Sequence, residues 1–198
     1  MGCSRRDFFG ELTRTMLDGV ADSIRAVGRV GEAAASTDDP PQRRWLRPPG
    51  AIVEERFLGA CTRCTDCVNA CPHAAIRRLG PEFGPVAGTP VVIPEEAPCY
   101  LCEDMPCIAA CPTGALLATP AGLVEMGTAV VDAAACYRTQ GQPCDYCVVR
   151  CPLKPEAIAF VTDGAPRVHE SHCAGCGVCA YLCPAKSIFI QPRGAGRN

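Results

Sequence analysis

The placement of cysteine constrains the fold of this chain more than any other feature. Sixteen of the 17 cysteines fall into four groups of four, and a proline follows the last cysteine of every group. We number these quartets in chain order: they are Cys61, Cys64, Cys67 and Cys71; Cys99, Cys102, Cys107 and Cys111; Cys136, Cys144, Cys147 and Cys151; and Cys173, Cys176, Cys179 and Cys183. Quartets one and four are spaced Cys-x2-Cys-x2-Cys-x3-Cys-Pro, whereas quartet two has four residues in its second gap and quartet three has seven in its first. So many closely spaced thiols indicate a fold built around the group that they bind.

Three kinds of chemistry use cysteine at this density. A disulfide-rich secreted domain does not need this repeated spacing. Structural zinc sites pair two separated Cys-x2-Cys knuckles, whereas each quartet here lies within 11 to 16 residues. The regular run is the ligand pattern of bacterial-type [4Fe–4S] ferredoxins, in which the fourth cysteine binds the neighbouring cluster. Sixteen such thiols predict four [4Fe–4S] clusters.

Segments that favour β-strands flank the quartets. They are residues 75–79, 91–93, 115–118, 129–132, 157–161, 167–169 and 187–190. A strand, a cysteine loop, a half-turn of helix and a return strand would form one cluster-binding unit. Four units predict two fused bacterial-type 2[4Fe–4S] ferredoxin-like units, a small irregular α+β fold. Only 6% of the residues are aromatic, so we expect the clusters to fill the centre and to supply much of the folding free energy.

The sequence divides into four predicted segments. Residues 1–35 form an amphipathic helix with a twin-arginine-like start, because apolar residues recur at steps of three or four. Residues 36–50 contain four prolines and read as an extended linker. Residues 51–192 form the four-cluster ferredoxin domain, and residues 193–198 form a short tail. The apolar stripe of the helix consists of Phe9, Leu12, Met16, Val20, Ile24 and Val27.

The N-terminal segment bears on localisation. Ser4-Arg5-Arg6-Asp7-Phe8-Phe9 resembles the opening of a twin-arginine export signal. Such a signal needs an apolar middle, but residues 10–32 carry seven charged side chains. We therefore expect a cytoplasmic protein, with periplasmic localisation by twin-arginine export as the alternative. The helix could pack on its own protein, dock to a partner or lie on a membrane surface, and the sequence leaves these roles open.

Composition excludes two further classes of protein. The net charge of −2 is nearly balanced and gives no indication of nucleic-acid binding. No stretch of 18 or more apolar residues occurs, so no transmembrane segment is predicted.

The spacing alone does not decide which quartets share their fourth cysteines. Connecting stretches of 27, 24 and 21 residues allow sequential pairing, of quartet one with two and three with four. They also allow nested pairing, of quartet one with four and two with three, which would place the two regular quartets together.

From about residue 46 to residue 192, the chain resembles the ferredoxin-type proteins of periplasmic nitrate reductase and methylamine-utilisation operons, the NapG/MauM family. The motifs that carry this resemblance are LRPPGA at 46–51, FLGACTRCTDCVNACP at 57–72, GTPVVIP at 88–94, CYLCEDMPCIAACPTGA at 99–115, the Cys-x7-Cys-x2-Cys spacing of quartet three, and CAGCGVCAYLCP at 173–184. The resemblance implies an electron-transfer subunit between a quinol-oxidising membrane protein and a redox enzyme.

The resemblance also implies nested pairing. The predicted ligand sets are then Cys61, Cys64, Cys67 and Cys183 for cluster 1; Cys173, Cys176, Cys179 and Cys71 for cluster 2; Cys99, Cys102, Cys107 and Cys151 for cluster 3; and Cys136, Cys144, Cys147 and Cys111 for cluster 4.

The function predicted from these features is electron transfer without catalysis. The chain would relay single electrons through four [4Fe–4S] clusters between a redox donor and an oxidoreductase partner, which is a reductase or a dehydrogenase. No acid–base constellation or open metal site is visible in the sequence. The alternative is an assembly or maturation factor for a cofactor-containing oxidoreductase, with the N-terminal helix as the element that docks to the client.

Overall fold

The computed structural model describes residues 45–162 and 164–193. The chain divides into two units, residues 1–39 and 40–198, and all of the described residues belong to the second. The predicted N-terminal amphipathic helix, its twin-arginine-like start and the tail beyond Arg193 lie outside the described residues.

The first half of the described body comprises residues 51–116 and contains quartets one and two. Its elements are α1 (Glu54–Ala60), α2 (Asp66–Asn69), β1 (Ile76–Arg78), a 3-10 segment (Pro81–Val86), β2 (Pro90–Val92) and α3 (Pro106–Ala109). Strands β1 and β2 pair antiparallel, with Ile76 opposite Val92. The two ends of this half meet in an isolated antiparallel bridge between Ala51 and Leu116.

The second half comprises residues 127–192 and contains quartets three and four. Its elements are β3 (Gly127–Val131), α4 (Tyr146–Val149), β4 (Ile158–Ala159), β5 (Arg167–Val168), α5 (Val178–Leu182) and β6 (Ile188–Pro192), and a 3-10 segment (Ala121–Leu123) precedes it. Strands β4 and β5 pair antiparallel in the middle of this half. Strands β3 and β6 pair antiparallel over five residues at its ends, with Gly127 opposite Pro192.

Both halves therefore follow one plan, in which the ends pair with each other and a short antiparallel pair lies between the two cysteine loops. The small mixed helix and strand fold agrees with the sequence prediction. Six of the seven predicted β segments contain a strand, but residues 115–118 form only the bridge at Leu116. The segment that pairs with Leu116 begins just after Pro48 and Pro49. These two prolines have no N–H groups that could extend the strand pairing.

Left-handed backbone conformations start three of the four short helices beside the cysteines. The residue two positions before the third cysteine has positive φ at Thr65, Met105 and Gly177, at 78°, 41° and 86°. The corresponding Asp145 of quartet three has φ −136° instead. Each helix ends one or two positions before the fourth cysteine, and the proline that follows this cysteine cannot donate a helical hydrogen bond.

The C-terminal part of the predicted linker is packed into the body, which corrects the boundary at residue 50. Leu46 is 6% exposed and Arg47 is completely buried. The Nη1 of Arg47 donates to the Thr89 hydroxyl at 2.8 Å and to the Pro90 carbonyl at 2.9 Å. Its guanidinium also forms an ion pair with Glu54. These contacts tie the segment to β2 and α1, so residues 46–50 are part of the folded body.

Within the described residues, no helix is long and apolar enough to cross a membrane.

Candidate metal centres

Four cavities in the described body are each lined by four cysteines. We call them sites A to D: site A is lined by Cys61, Cys64, Cys67 and Cys111; site B by Cys99, Cys102, Cys107 and Cys71; site C by Cys173, Cys176, Cys179 and Cys151; and site D by Cys136, Cys144, Cys147 and Cys183. With the solvent-open space at their mouths included, they enclose between about 320 and 400 Å³. Each site takes three thiols from one quartet and the fourth from another, as the predicted exchange of fourth cysteines requires.

The cavities do not group the thiols in the nested sets that the resemblance implies. Cys183 lines site D rather than joining Cys61, and Cys111 lines site A rather than joining Cys136. By the same exchange, Cys151 belongs to site C and Cys71 to site B. The three-cysteine part of each predicted set is retained, and only the fourth member changes.

Strand pairing is the physical reason for this sequential grouping. Strands β1 and β2 form the direct connection from quartet one to quartet two, and β4 and β5 do the same for quartets three and four. Helix α2 packs against α3, and α4 packs against α5. Each half thereby encloses two neighbouring quartets.

The thiols differ in exposure along the body. Seven are buried, namely Cys67, Cys107, Cys136, Cys147, Cys176, Cys179 and Cys183, whereas Cys64 of site A is exposed. None of the sixteen described cysteines is in a disulfide. The main apolar core includes Met105 and Cys107 of the first half and Ala174 and Cys176 of the second, so residues beside sites B and C pack together.

Burial and mutual repulsion disfavour the thiolate form at several of these cysteines. Burial, followed by the charges of Cys61 and Cys64, raises the pKa of Cys67 to about 12. Burial raises the pKa of Cys99 to about 12 and that of Cys107 to about 11. In the second half, burial raises the pKa of Cys147 and of Cys176 to about 11. Because metals bind the thiolate, a strongly positive core is needed to gather four of these sulfurs in their ionised form.

Backbone N–H groups donate to the sulfurs of the fourth cysteines in three of the quartets. The N–H of Ala75 donates to the Cys71 sulfur at 3.3 Å, and that of Ser187 donates to the Cys183 sulfur at 3.4 Å. Both donors lie four residues after the cysteine and are buried. At Cys111, burial would raise the pKa, but the N–H groups of Thr113 and Leu116, the Thr113 hydroxyl and the N–H of Ala115 outweigh it and lower the pKa.

Cys151 lacks this donor because the residue four positions later is Pro155, which has no N–H. Burial accordingly raises its pKa, against a hydrogen bond from the backbone of Leu153. These donors were not among the residues predicted from the sequence. The sequence feature that could have indicated these donors is a small residue four positions after the fourth cysteine. In the other three quartets this residue is Ala75, Ala115 or Ser187.

The geometry of the thiols fits a multinuclear cluster better than a single ion. The sulfurs of a zinc site converge to about 2.3 Å from one point. Among the residues that the structure describes, no group of three or more His, Cys, Asp or Glu side chains converges in that way. The thiols instead line four separate cavities, and N–H groups are directed at the sulfurs of Cys71 and Cys183, as in iron–sulfur clusters.

The four sites follow one another in the order A, B, C, D. Cys67 of site A and Cys107 of site B interact electrostatically across the contact of α2 with α3. Cys99 of site B donates its N–H to the carbonyl of Cys176 of site C at 2.9 Å. Cys179 of site C and Cys147 of site D interact across the contact of α4 with α5. The two halves thus join through their inner sites.

Comparison with known proteins agrees with this arrangement. The sequence profile of the 4Fe-4S dicluster domain matches residues 60–115, which contain sites A and B. It therefore treats quartets one and two as one dicluster domain, as the sequential grouping does.

Similarity extends over nearly the whole chain. The methylamine utilization ferredoxin-type protein MauM of Paracoccus denitrificans is 38% identical over 93% of this chain and 92% of its own. MauM of Methylorubrum extorquens is 40% identical over 79% of each chain. The ferredoxin-type protein NapG of Escherichia coli is 38% identical over 94% of this chain and 84% of its own. The resemblance recognised in the sequence is therefore confirmed, and the chain belongs to the family of MauM and NapG ferredoxin-type proteins.

Proposed function

We propose that this protein is an electron carrier that holds four [4Fe–4S] clusters in two fused ferredoxin-like units, one in each half. The observation that carries this proposal is the row of four cavities, each lined by four thiols. The ligands are the four cysteines of each site, so all sixteen cysteines of the quartets are used. When bound, such clusters supply reversible one-electron oxidation and reduction.

The chain's own residues position and tune these centres. Cysteine thiolates bind the iron, and the buried N–H groups of Ala75 and Ser187 stabilise negative charge on the sulfurs of Cys71 and Cys183. Apolar side chains around the inner sites, such as Leu101 and Val178, exclude water. All four quartets are complete, so each cluster is expected to have its full set of protein ligands and to transfer electrons without binding substrate.

The partners that fit this role are redox proteins at the two ends of the row. Site A reaches the surface at the exposed Cys64, and site D is bordered by the exposed Tyr146. We propose a quinol-oxidising membrane protein as donor and a reductase or dehydrogenase as acceptor. Relatives named for methylamine utilization support an oxidoreductase as one of these partners.

The proposal is tested by iron and sulfide analysis and by redox titration of protein purified without oxygen. We expect roughly sixteen iron and sixteen acid-labile sulfide per chain, and reversible one-electron reduction of several clusters. The purified protein alone should turn over no substrate. A chain that binds only zinc, or that binds half this iron after full reconstitution, contradicts the proposal.

The proposed compartment is the cytoplasm, supported by the seven charged residues within residues 10–32. Fractionation of native cells, with mass determination of the recovered chain, tests this. Intact protein in the cytosolic fraction supports it, whereas a chain trimmed near Ala35 outside the inner membrane supports the alternative of twin-arginine export.

A further inference from the structure

The two halves meet at a contact between a ligand loop of site B and a ligand loop of site C. The N–H of Cys99 donates to the carbonyl of Cys176 at 2.9 Å, and the N–H of Met126 donates to the carbonyl of Ala174 at 3.0 Å. Cys99 lines site B and Cys176 lines site C. The backbone hydrogen bond therefore joins two candidate ligands directly.

Glycine allows the loop of quartet four to approach the first half this closely. Gly177 follows Cys176 and has φ +86°. A Cβ atom added there would lie 2.4 Å from the Cβ and 2.8 Å from the Cγ of Pro94. Pro94 is buried and lies five residues before Cys99. Any side chain at position 177 would thus push the two ligand loops apart.

A close approach of two glycines within the second half lies beside this contact. A Cβ atom at Gly175 would lie 2.4 Å from the backbone N of Gly127, which begins β3. Met126, at the same junction, is 2% exposed. The space around the contact is filled by Leu101, Met105, Ala174 and Val178, which are all at least 92% buried. The contact between sites B and C is consequently dry and closely packed.

We propose that electrons cross between the two halves through the contact of Cys99 with Cys176, and that Gly177 against Pro94 sets the separation of sites B and C. This inference rests on the proposed function, because it needs a cluster in each of the two sites. One electron leaves the reduced centre in one site and reduces the oxidised centre in the other, while no bond forms or breaks. Gly177 and Pro94 are positioning residues, since neither binds a cluster.

The test is a compensating pair of substitutions in the full chain, Gly177→Ala and Pro94→Gly. Gly177→Ala introduces the clash, Pro94→Gly removes the side chain that is struck, and the double variant combines a Cβ at position 177 with the space at position 94. The matched control is Gly141→Ala, because Gly141 also has positive φ, +78°, but a Cβ there meets nothing within 4 Å. Iron content and the magnetic interaction between reduced clusters, seen in electron paramagnetic resonance spectra, are measured for each variant.

We expect Gly177→Ala to keep the iron content of the parent and to lose the part of the magnetic interaction that arises between the halves. The double variant should regain it, and Gly141→Ala should keep the parent spectrum. If Gly177→Ala fails to load iron, Pro94→Gly provides the test. This substitution loosens the same contact without a clash, so it should weaken the magnetic interaction between the two halves.

Other results overturn the inference. An unchanged spectrum in loaded Gly177→Ala would show that the clusters do not communicate at this contact, as would an equal loss in Gly141→Ala. If the parent itself binds no iron–sulfur cluster, the proposed function fails instead, and the iron analysis separates these two cases.

Discussion

Ser187 gives the sulfur of Cys183 two hydrogen-bonding groups. Its N–H donates to that sulfur at 3.4 Å, and its hydroxyl oxygen lies 3.4 Å from the same atom. Ala75 at the equivalent position of quartet one offers only its N–H. Hydrogen bonds to cluster sulfurs stabilise the additional negative charge of the reduced state and so raise the reduction potential. The reduction potential of the centre in site D is therefore expected to be higher with serine at position 187 than with alanine there.

We predict that Ser187→Ala lowers the reduction potential of one cluster and leaves the others unchanged. A hydrogen bond contributes about 0.5 to 1.5 kcal/mol, which for one electron corresponds to a shift of about 20 to 60 mV. The potentials are measured by redox titration followed by electron paramagnetic resonance. Ser171→Ala is the control, because Ser171 is exposed and contacts only the neighbouring His172 among the interactions described for its hydroxyl. Unchanged potentials in Ser187→Ala would show that the hydroxyl does not tune the centre.

The segment of residues 46–50 holds the first half together through a buried arginine. Arg47 contacts Glu54 of α1, Thr89 and the backbone of β2, and its guanidinium lies 4.8 Å from the centre of the Phe57 ring. Phe57 itself is fully buried beside site A. Arg47 thus connects α1 and β2, two elements that line the same site.

We predict that Arg47→Met destabilises the folded body by about 3 to 5 kcal/mol, because it leaves the partly buried Glu54 carboxylate without this partner. The measurement is the rate at which the visible absorption of the clusters is lost on anaerobic heating, since unfolding that releases clusters is not reversible.

The control for this substitution is Arg193→Met. Arg193 also binds a carboxylate and a threonine, Glu125 and Thr128, but its ion pair is exposed. Exposed pairs contribute about 0 to 1 kcal/mol, so Arg193→Met should lose its clusters almost as slowly as the parent. Equal rates for the two variants would contradict the role assigned to Arg47.

What the sequence predicts well here is local, and what it misses depends on distant contacts. The quartets and most strands follow from spacing and composition within 10 to 15 residues. The burial of Arg47 was not predicted, because the four prolines of its segment indicate an extended linker. The residues that bind Arg47, Thr89 and Pro90, lie 42 and 43 positions away in the sequence. The cavities depart from the predicted nested grouping of the quartets for a related reason. Spacing shapes each loop, but the pairing of β3 with β6 over some 60 residues decides which loops share a half.

With a cluster in each site, the sequential grouping would give the described body a linear electron path. Sites A and B share the first half, sites C and D share the second, and Cys99 and Cys176 connect the halves. In the nested grouping, Cys61 and Cys183 bind the same cluster. In the sequential grouping, they belong to sites A and D at opposite ends of the row. The consequence can be counted in iron atoms.

We predict that Cys61→Ala combined with Cys111→Ala removes one cluster, because both thiols line site A. About twelve iron atoms should remain, and the signals of the other three clusters should be unchanged. Cys61→Ala combined with Cys183→Ala should damage two clusters, because these thiols line sites A and D. The nested grouping predicts the reverse, with one cluster damaged by the second pair and two by the first. Iron analysis and electron paramagnetic resonance of the two double variants, compared with each single variant, therefore decide between the groupings without knowledge of any redox partner.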